Sequence, residues 1–375
     1  MRVNRLEYSG WRNLSDGEIE PCDGVNIIYG SNAQGKTNLL EAIWLFTGAK
    51  SFRGAKEAEL IALGRDTARI SMEFHAQGRQ QEGEIRLGSP KKALLNGVEQ
   101  SSVAQMAGVF CAVVFAPVHL SLIKDGPALR RRFLDSALGQ LKPGYLNLLA
   151  EYHRAVQQRN ALLRDVQFHS ELAPMLDIWE DTIAKSGSKI AQQRCRYIEE
   201  LLPEVCEFYD GLSSGKEKLD LQYDGEQYRA DNGGLERLRA DLSAARGEDT
   251  RLGVTTVGPH RDDLLLHINC LPARNFASQG QQRCAALALK LAEAAVLTRF
   301  TGEQPVALLD DVMSELDPAR QDYILNRIQG WQVFITCCEP SSVLRMANGS
   351  AFEMVEGTVT QHAQISTVNS PCVEK

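Results

Sequence analysis

The sequence predicts an α/β fold interrupted by a long helical insertion. Two observations carry that reading. A strand-like start runs into a glycine-rich loop and then a helix, "NIIYGSNAQGKTNLLEAIWLF", at 26–46. An apolar strand pattern, "PVALLDDVMSELD", returns near the far end, at 305–317. Between them the apolar period lengthens from two residues to about 3.6, so helices replace strands. The expected divisions are 1–124 for the first part of the α/β unit, 125–250 for the helical insertion and 251–375 for the return.

The elements follow in order. "VNRLEYSGW" and "VNIIYG" alternate as strands and bracket the turn-like "LSDGEIEPCDG". After the loop, Leu39, Leu40, Ile43, Trp44 and Phe46 recur at helical spacing, and Gly48 ends the run. Residues 68–115 read as strands: "ARISMEFHA" and "EGEIRLG" alternate, Asn96-Gly97 is a hairpin turn, and "VFCAVVF" is a short buried strand. Asp125-Gly126-Pro127 opens a helix with Leu129, Phe133, Ala137 and Leu141 on one face. A second helix carries Tyr145, Leu148, Leu149, Tyr152 and Val156. A third runs from Leu172 to Leu201, with "VQFHSELAP" near the turn between them. The apolar spacing fits either a short coiled coil or a globular helical lobe; unsustained heptads favour the lobe. Residues 211–250 are polar and locally glycine-rich, as an exit from the insertion would be. Strand patterns resume in "LGVTTVG" and "DLLLHINC", followed by a helix from Gln281 to about Phe300 and the strands "PVALLDD" and "QVFIT".

Composition narrows the function classes. Of 375 residues, 43% are hydrophobic and 24% charged, which is ordinary globular usage. The start, "MRVNRLEYSGWRNL", lacks the apolar core of a signal peptide. No stretch approaches the roughly 18 apolar residues of a membrane span, so a membrane role is not expected. Nine cysteines lie scattered without a C-x-x-C pair, which argues for reduced thiols and a cytoplasmic protein rather than zinc or a disulfide framework. Net charge is −7. Any nucleic-acid contact must therefore come from a local basic patch or from assembly.

The chemistry-bearing residues form three groups. Gly30-Ser31-Asn32-Ala33-Gln34-Gly35-Lys36-Thr37 fits a phosphate-binding loop. Its glycines let consecutive N–H groups turn inward, and the following helix adds its positive end. Lys36 is expected on the β- and γ-phosphates of ATP, and Thr37 on Mg²⁺. The second group is the apolar strand ending in Asp310 and Asp311, a Walker B pattern. Asp310 is expected to hold the Mg²⁺, and Asp311 to orient or activate the attacking water. The third is Ser278-Gln279-Gly280-Gln281 before a long helix. It resembles the Ser-Gly-Gly-Gln signature of ABC-type ATPases, with Gln279 replacing the first glycine. A capping serine at a helix start is the plainer reading of Ser278. As an anion site, it would be useful if it met a nucleotide held by another subunit. Loop and signature lie roughly 240 residues apart, far beyond an ordinary connection, so an insertion must separate them.

With these motifs on the page, the whole chain resembles the RecF family, bacterial recombination-mediator ATPases of the SMC/Rad50 type. The resemblance rests on "NLLEAI", "VVFAPVHLSLIKDGPALRRRFLD", "VGPHRDDL", "SQGQQR" and "LLDDVMSELD" together. It implies an ABC-type ATPase head with the helical insertion as lobe II. It also implies ATP-driven homodimerisation around two nucleotides, binding of double-stranded and gapped DNA, partners RecR and RecO, and hydrolysis that releases DNA. Recombinational repair, the SOS response and a nucleoid-associated cytoplasmic location follow from it. Residue by residue, the resemblance puts Arg12, Asn32, Gly35, Lys36, Thr37 and Asn38 at the nucleotide, with Ser278, Gly280 and Gln281 as the signature. It puts Asp310 and Asp311 in Walker B, Glu315-Leu316-Asp317 in the D-loop and Arg53 at DNA. The catalytic set is Lys36, Ser278 and Asp311.

Arg130-Arg131-Arg132 is the densest basic run, and Arg130 and Arg131 are candidate DNA contacts. Lys124, Lys142, Arg154 and Arg159 would extend the groove. Phosphate contacts carry no base sequence, which suits recognition of DNA structure. Two departures from the family stand out: Val118-His119 in place of acidic residues, and Thr336 where many ABC ATPases have a switch histidine. His260 reads as structural. The competing functions are an ATPase subunit of a transport or chromosome-organising complex, and a small-molecule P-loop kinase.

Overall fold

The computed structural model describes residues 1–338 and 349–365. The chain forms two compact units, Met1–Leu120 with the residues from Glu293 on, and Ser121–Ala292. The first unit begins with β1 (Arg2–Ser9), β2 (Gly17–Ile19) and β3 (Val25–Tyr29), then α1 (Lys36–Leu45). It continues with β4 (Ala68–Ala76), β5 (Arg79–Leu87), β6 (Lys92–Leu95), β7 (Val98–Gln100), β8 (Ala112–Phe115) and the one-turn α2 (Pro117–Leu120). The second unit holds α3 (Pro127–Leu141), α4 (Tyr145–Val166), α5 (Leu176–Ser213), β9 (Leu219–Asp224), α6 (Gly234–Leu252), β10 (Asp263–Ile268), β11 (Leu271–Pro272) and α7 (Ala273–Phe276). Helix α8 (Gln279–Thr301) leads back to the first unit, which ends with β12 (Val306–Asp310), α9 (Pro318–Arg327), β13 (Val333–Cys337), β14 (Gly349–Val355) and β15 (Thr358–Ile365).

Two sheets build the first unit. One is antiparallel, in the order β2-β1-β4-β5-β6-β7; the other runs β15-β14-β3-β13-β12-β8. In the second sheet β14, β3, β13, β12 and β8 are mutually parallel, and only β15 runs against them. Parallel strands are buried on both faces, and β12 is buried at all five residues. The alternation read in β4 puts Ile70, Met72 and Phe74 into a core shared with Leu39, Leu40, Ile43 and Trp44 of α1. The same core takes Ile28, Val114, Leu308 and Phe334 from the parallel sheet. Apolar residues from both sheets meet α1, which is why nearly all of it is buried rather than one stripe. Asn96 and Gly97 both have positive φ, at 50° and 77°, as the β6–β7 hairpin requires.

In the second unit, α4 and α5 are antiparallel neighbours. Arg159 bonds Glu180, and Gly187 faces the Tyr152 ring, seven residues back on one helix and seven on along the other. A Cβ at Gly187 would lie 3.0 Å from that ring and 2.8 Å from Leu238, so glycine lets α5 approach both α4 and α6 closely.

Three expectations change. The insertion returns at Ala292 rather than 250, because β10 pairs with β9 and β11 and not with the other sheets. Residues 234–252 form a helix, α6, where only a polar exit was expected, since the buried Leu238 and Leu242 suffice to anchor its mostly polar length. "LGVTTVG" forms no strand: Thr255 and Thr256 turn their polar groups to Asn160 and Asp249.

Candidate functional site

The carboxyl ends of β3, β13 and β12 lie side by side, with Thr336 of β13 opposite Ile28 on one flank and Asp310 on the other. Such ends are where open parallel sheets collect ligands. The phosphate loop leaves β3 there. Gly30 has φ 150° and Gly35 φ 114°. A Cβ on Gly30 would lie 2.3 Å from the Met354 carbonyl, and one on Gly35 2.5 Å from Leu14. Both positions therefore exclude any side chain. Ser31, Asn32 and Ala33 are exposed at the rim, and Gln34 accepts a bond from the Glu356 amide.

The loop's chemistry is internally bonded. Lys36 is buried, and its ammonium donates to the carbonyls of Gly30 (2.8 Å) and Ser31 (3.1 Å). Thr37 Oγ1 donates to Asp310 Oδ1 at 2.7 Å, so residues 273 apart in sequence meet at one point. Thr336 Oγ1 gives the same oxygen a second bond at 3.0 Å. Burial pushes the Asp310 carboxyl above its ordinary range, and the two threonine bonds pull the other way. Asp311 follows with φ 50°, and its amide donates to Thr336 Oγ1 at 2.9 Å.

A threonine hydroxyl and a carboxylate are hard oxygen donors, the chemistry Mg²⁺ selects. Two protein ligands with the rest from water and phosphate is its usual manner of binding beside a nucleotide. No cluster of three or more His, Cys, Asp or Glu able to hold a metal occurs among the described residues.

The remaining predicted residues divide. Asn38 joins the loop to its flank: Asn38 Nδ2 donates to Asn13 Oδ1 (2.6 Å), Asn13 Nδ2 donates to the Ala33 carbonyl (3.1 Å), and Arg53 Nη1 donates to Asn38 Oδ1 (2.9 Å). Arg53 thus stands at the edge of the phosphate loop, close enough for its charge to lower the Asp310 carboxyl. Asn13 was not predicted; its only signal was its place after Arg12 in "GWRNL". Arg12 has φ 50° and holds the buried Glu41 through Nε at 2.7 Å. Asp317 of the D-loop stretch caps α9, accepting from the Arg320 amide at 3.1 Å.

In the second unit, Ser278 and Gln281 cap α8 reciprocally. Gln281 N donates to Ser278 Oγ (3.3 Å) and Ser278 N donates to Gln281 Oε1 (2.7 Å), a capping box. Gln281 Nε2 also donates to Glu217 Oε1 at 2.6 Å. The side chain of Gln281 is thereby committed to the cap and to Glu217, while Ser278 stays exposed. Gly280 lies in the first turn of α8.

The DNA candidates on α3 are corrected. Arg130 is 3% exposed. Its Nε and Nη2 hold both oxygens of Asp263 at 2.7 and 2.8 Å, and its Nη1 reaches the carbonyls of Leu122 and Asp125. A guanidinium bonded this way has no face for a duplex. Arg131 is half-buried, donates to the Asp262 carbonyl at 2.7 Å and has its pKa lowered, mainly by burial. Arg159 is fully buried between Glu180 and Asp249. Lys124, Arg132, Lys142 and Arg154 are exposed. His260 is structural: Nδ1 lies 2.6 Å from the Tyr152 hydroxyl, Nε2 3.0 Å from the Thr255 carbonyl, and burial lowers its pKa to about 4. None of the eight cysteines among the described residues forms a disulfide. No described helix is long and apolar enough to cross a membrane.

Known proteins resemble this chain along nearly its whole length. The family model for the RecF/RecN/SMC N-terminal domain matches residues 2–361. The DNA replication and repair protein RecF of Lachnoclostridium phytofermentans is 36% identical over 363 residues, covering 96% of this chain and 99% of the relative. That of Shouchella clausii is 37% identical over 372 residues, covering 96% and 99%. A solved structure of the recombination mediator protein RecF with ATPrS, in the RecFOR pathway, superposes with TM-score 0.89 at 35% identity, covering 96% of this chain and 98% of that one. The Smc head domain of Pyrococcus furiosus, at 17% identity and TM-score 0.55, shares the fold.

Proposed function

The chain belongs to the RecF family of DNA replication and repair proteins, and from that footing we propose that it is an ATP-driven DNA-binding switch of recombinational repair. The observation that carries the reading is the meeting of Thr37 and Asp310 at 2.7 Å, beside the loop that buries Lys36. Relatives of the same fold have been solved with ATP and with ATPrS. In our reading Lys36 exchanges its loop carbonyls for the β- and γ-phosphates of ATP. Thr37 and Asp310 would hold Mg²⁺, which would neutralise phosphate charge. Asp311 orients the attacking water, and Arg53 and Asn38 steady the loop from its flank.

Ser278 works in trans. A capped helix start offers partial positive charge to an anion. A second copy would present Ser278 and the first turn at Gly280 to the γ-phosphate, closing a homodimer around two nucleotides. Slow hydrolysis, stimulated by DNA, would open it. With Arg130 and Arg159 committed inside the fold, Lys124, Arg132 and Arg154 are the proposed contacts to double-stranded and gapped DNA. The recombinase loaders RecO and RecR are the proposed partners, in the cytoplasm at the nucleoid.

The test is molecular mass in solution with and without ATP and gapped duplex DNA. A doubling of mass with ATP, abolished in Ser278→Arg while ATP still binds each monomer, is expected. ATP-loaded protein that stays monomeric at high concentration, DNA present or not, overturns the switch. A transport subunit would ignore DNA, and a small-molecule kinase would tolerate Ser278→Arg.

A further inference from the structure

We propose that Thr336 is a positioning residue that holds both Walker B aspartates from the neighbouring strand. The inference rests on reading the site as one for Mg²⁺ and ATP, and deepens it. Thr336 is 1% exposed and sits on β13, between the strand that delivers the phosphate loop and the strand that delivers Asp310. One hydroxyl serves two residues. Its proton goes to Asp310 Oδ1 at 3.0 Å, and its lone pair receives the Asp311 amide at 2.9 Å.

The two bonds do different things. Asp310 Oδ1 accepts from Thr37 as well as from Thr336. Thr37 lies in the first turn of α1 and must give up that bond if its oxygen turns to a cation. Thr336 faces no such choice, because its proton points at Asp310 from within the sheet. The carboxylate therefore keeps one fixed donor while the other is exchanged. Asp311, meanwhile, has φ 50°, a strained conformation for a residue with a side chain that persists where neighbours enforce it. The bond from its amide to Thr336 enforces it at one end, and Ser314 Oγ, donating to the Asp311 carbonyl at 2.8 Å, at the other. Thr336 thus sets how Asp311 leaves the strand, and with it where that acid stands relative to Asp310. A β-branched residue has a stiff χ1 and packs well in a strand, so threonine holds the hydroxyl more rigidly than serine would.

The experiment compares the full-length wild type with Thr336→Val, which keeps the shape, and Thr336→Ser, which keeps the hydroxyl. Three quantities are read: amide exchange at Asp311 without nucleotide or metal, affinity for a fluorescent ATP analogue with and without Mg²⁺, and kcat against KM. Thr336→Val should speed exchange at Asp311 and raise the Mg²⁺ half-saturation by about tenfold each. Its metal-free nucleotide affinity should stay within about twofold of wild type, and kcat should fall more than KM rises. Thr336→Ser should recover most of each loss. Wild-type exchange and Mg²⁺ response in Thr336→Val would overturn the proposal. So would equal damage by Val and Ser, which marks a packing role. If Thr336→Val does not fold, Thr336→Ala takes its place in the same comparison. A wild type that binds the analogue without any Mg²⁺ response would instead overturn the reading of the site.

Discussion

The phosphate loop and the core of the second unit both bury charge, but they pair it differently. In the loop, Lys36 bonds carbonyls of its own turn and Thr37 bonds Asp310. These are neutral or single contacts that a ligand can replace without leaving a charge stranded. In the second unit, Arg159 is closed between Glu180 and Asp249, Arg130 by Asp263, and Arg194 by Asp135 and the Pro259 carbonyl. Those pairs take both partners out of water, and neither can leave alone without a large penalty. The loop is built to exchange partners, and the helical core to keep them.

The comparison breaks first if Arg159 proves replaceable. Among the described residues, Arg159→Met leaves Arg246 as the side-chain partner of the buried Glu180, and the Thr256 amide and hydroxyl as those of the buried Asp249. Stability should fall by about 3–5 kcal/mol, read as the urea midpoint of the full chain. A loss under about 1 kcal/mol would mean that the network is wet or rearranges, and the contrast with the loop would be lost.

Lys36→Met is the counterpart in the loop. It removes two bonds to carbonyls and leaves no uncompensated charge, so the urea midpoint should move far less than for Arg159→Met. ATP affinity should fall by roughly 10- to 100-fold, the worth of a charged hydrogen bond set on phosphate, measured by calorimetry. A variant that unfolds as readily as Arg159→Met would show that Lys36 serves the fold before it serves a ligand.

What the sequence revealed follows the same division. The loop, the strand into Asp310 and the α8 start were legible because each is a local pattern whose chemistry lies within a few residues. The burial of Arg130 was not, because its partner, Asp263, lies 133 residues away. A run of three arginines announces charge but not direction. Arg159 was misjudged for the same reason, with Asp249 and Glu180 on two other helices. The small sheet of β9, β10 and β11 was only partly visible: β10 alternates clearly, but nothing local says that it pairs inside the insertion rather than with the parallel sheet. Thr336 was seen as a departure from a family pattern. Its two bonds became visible only when register put it opposite Asp310.

The smallest effect comes from pH. His260 and Asp262 are near neighbours in sequence, both buried, and shifted in opposite directions. Burial lowers His260 to about 4 and raises Asp262 to about 6. Around them stand the Tyr152 and Tyr223 hydroxyls and the charges of Arg131, Arg194, Arg261, His153 and Asp224. The fold prefers neutral His260, so its contribution is present above the unfolded value of 6.5 and is lost as pH falls towards 4. The fold also prefers protonated Asp262, so its contribution is present below 3.8 and is lost as pH rises through 6. In the wild type the two slopes oppose each other across the same window and largely cancel. Single variants should separate them. Asp262→Asn should gain stability over wild type by roughly 2–3 kcal/mol as pH rises from 4 to 7. His260→Gln should gain a similar amount over wild type as pH falls from 7 to 4, once its own packing cost at pH 7 is subtracted. Urea midpoints of each variant minus wild type at both pH values remove the titration common to the other carboxylates. Two parallel, pH-independent differences would mean that these side chains reach water, and that the second unit holds its charges as loosely as the loop does.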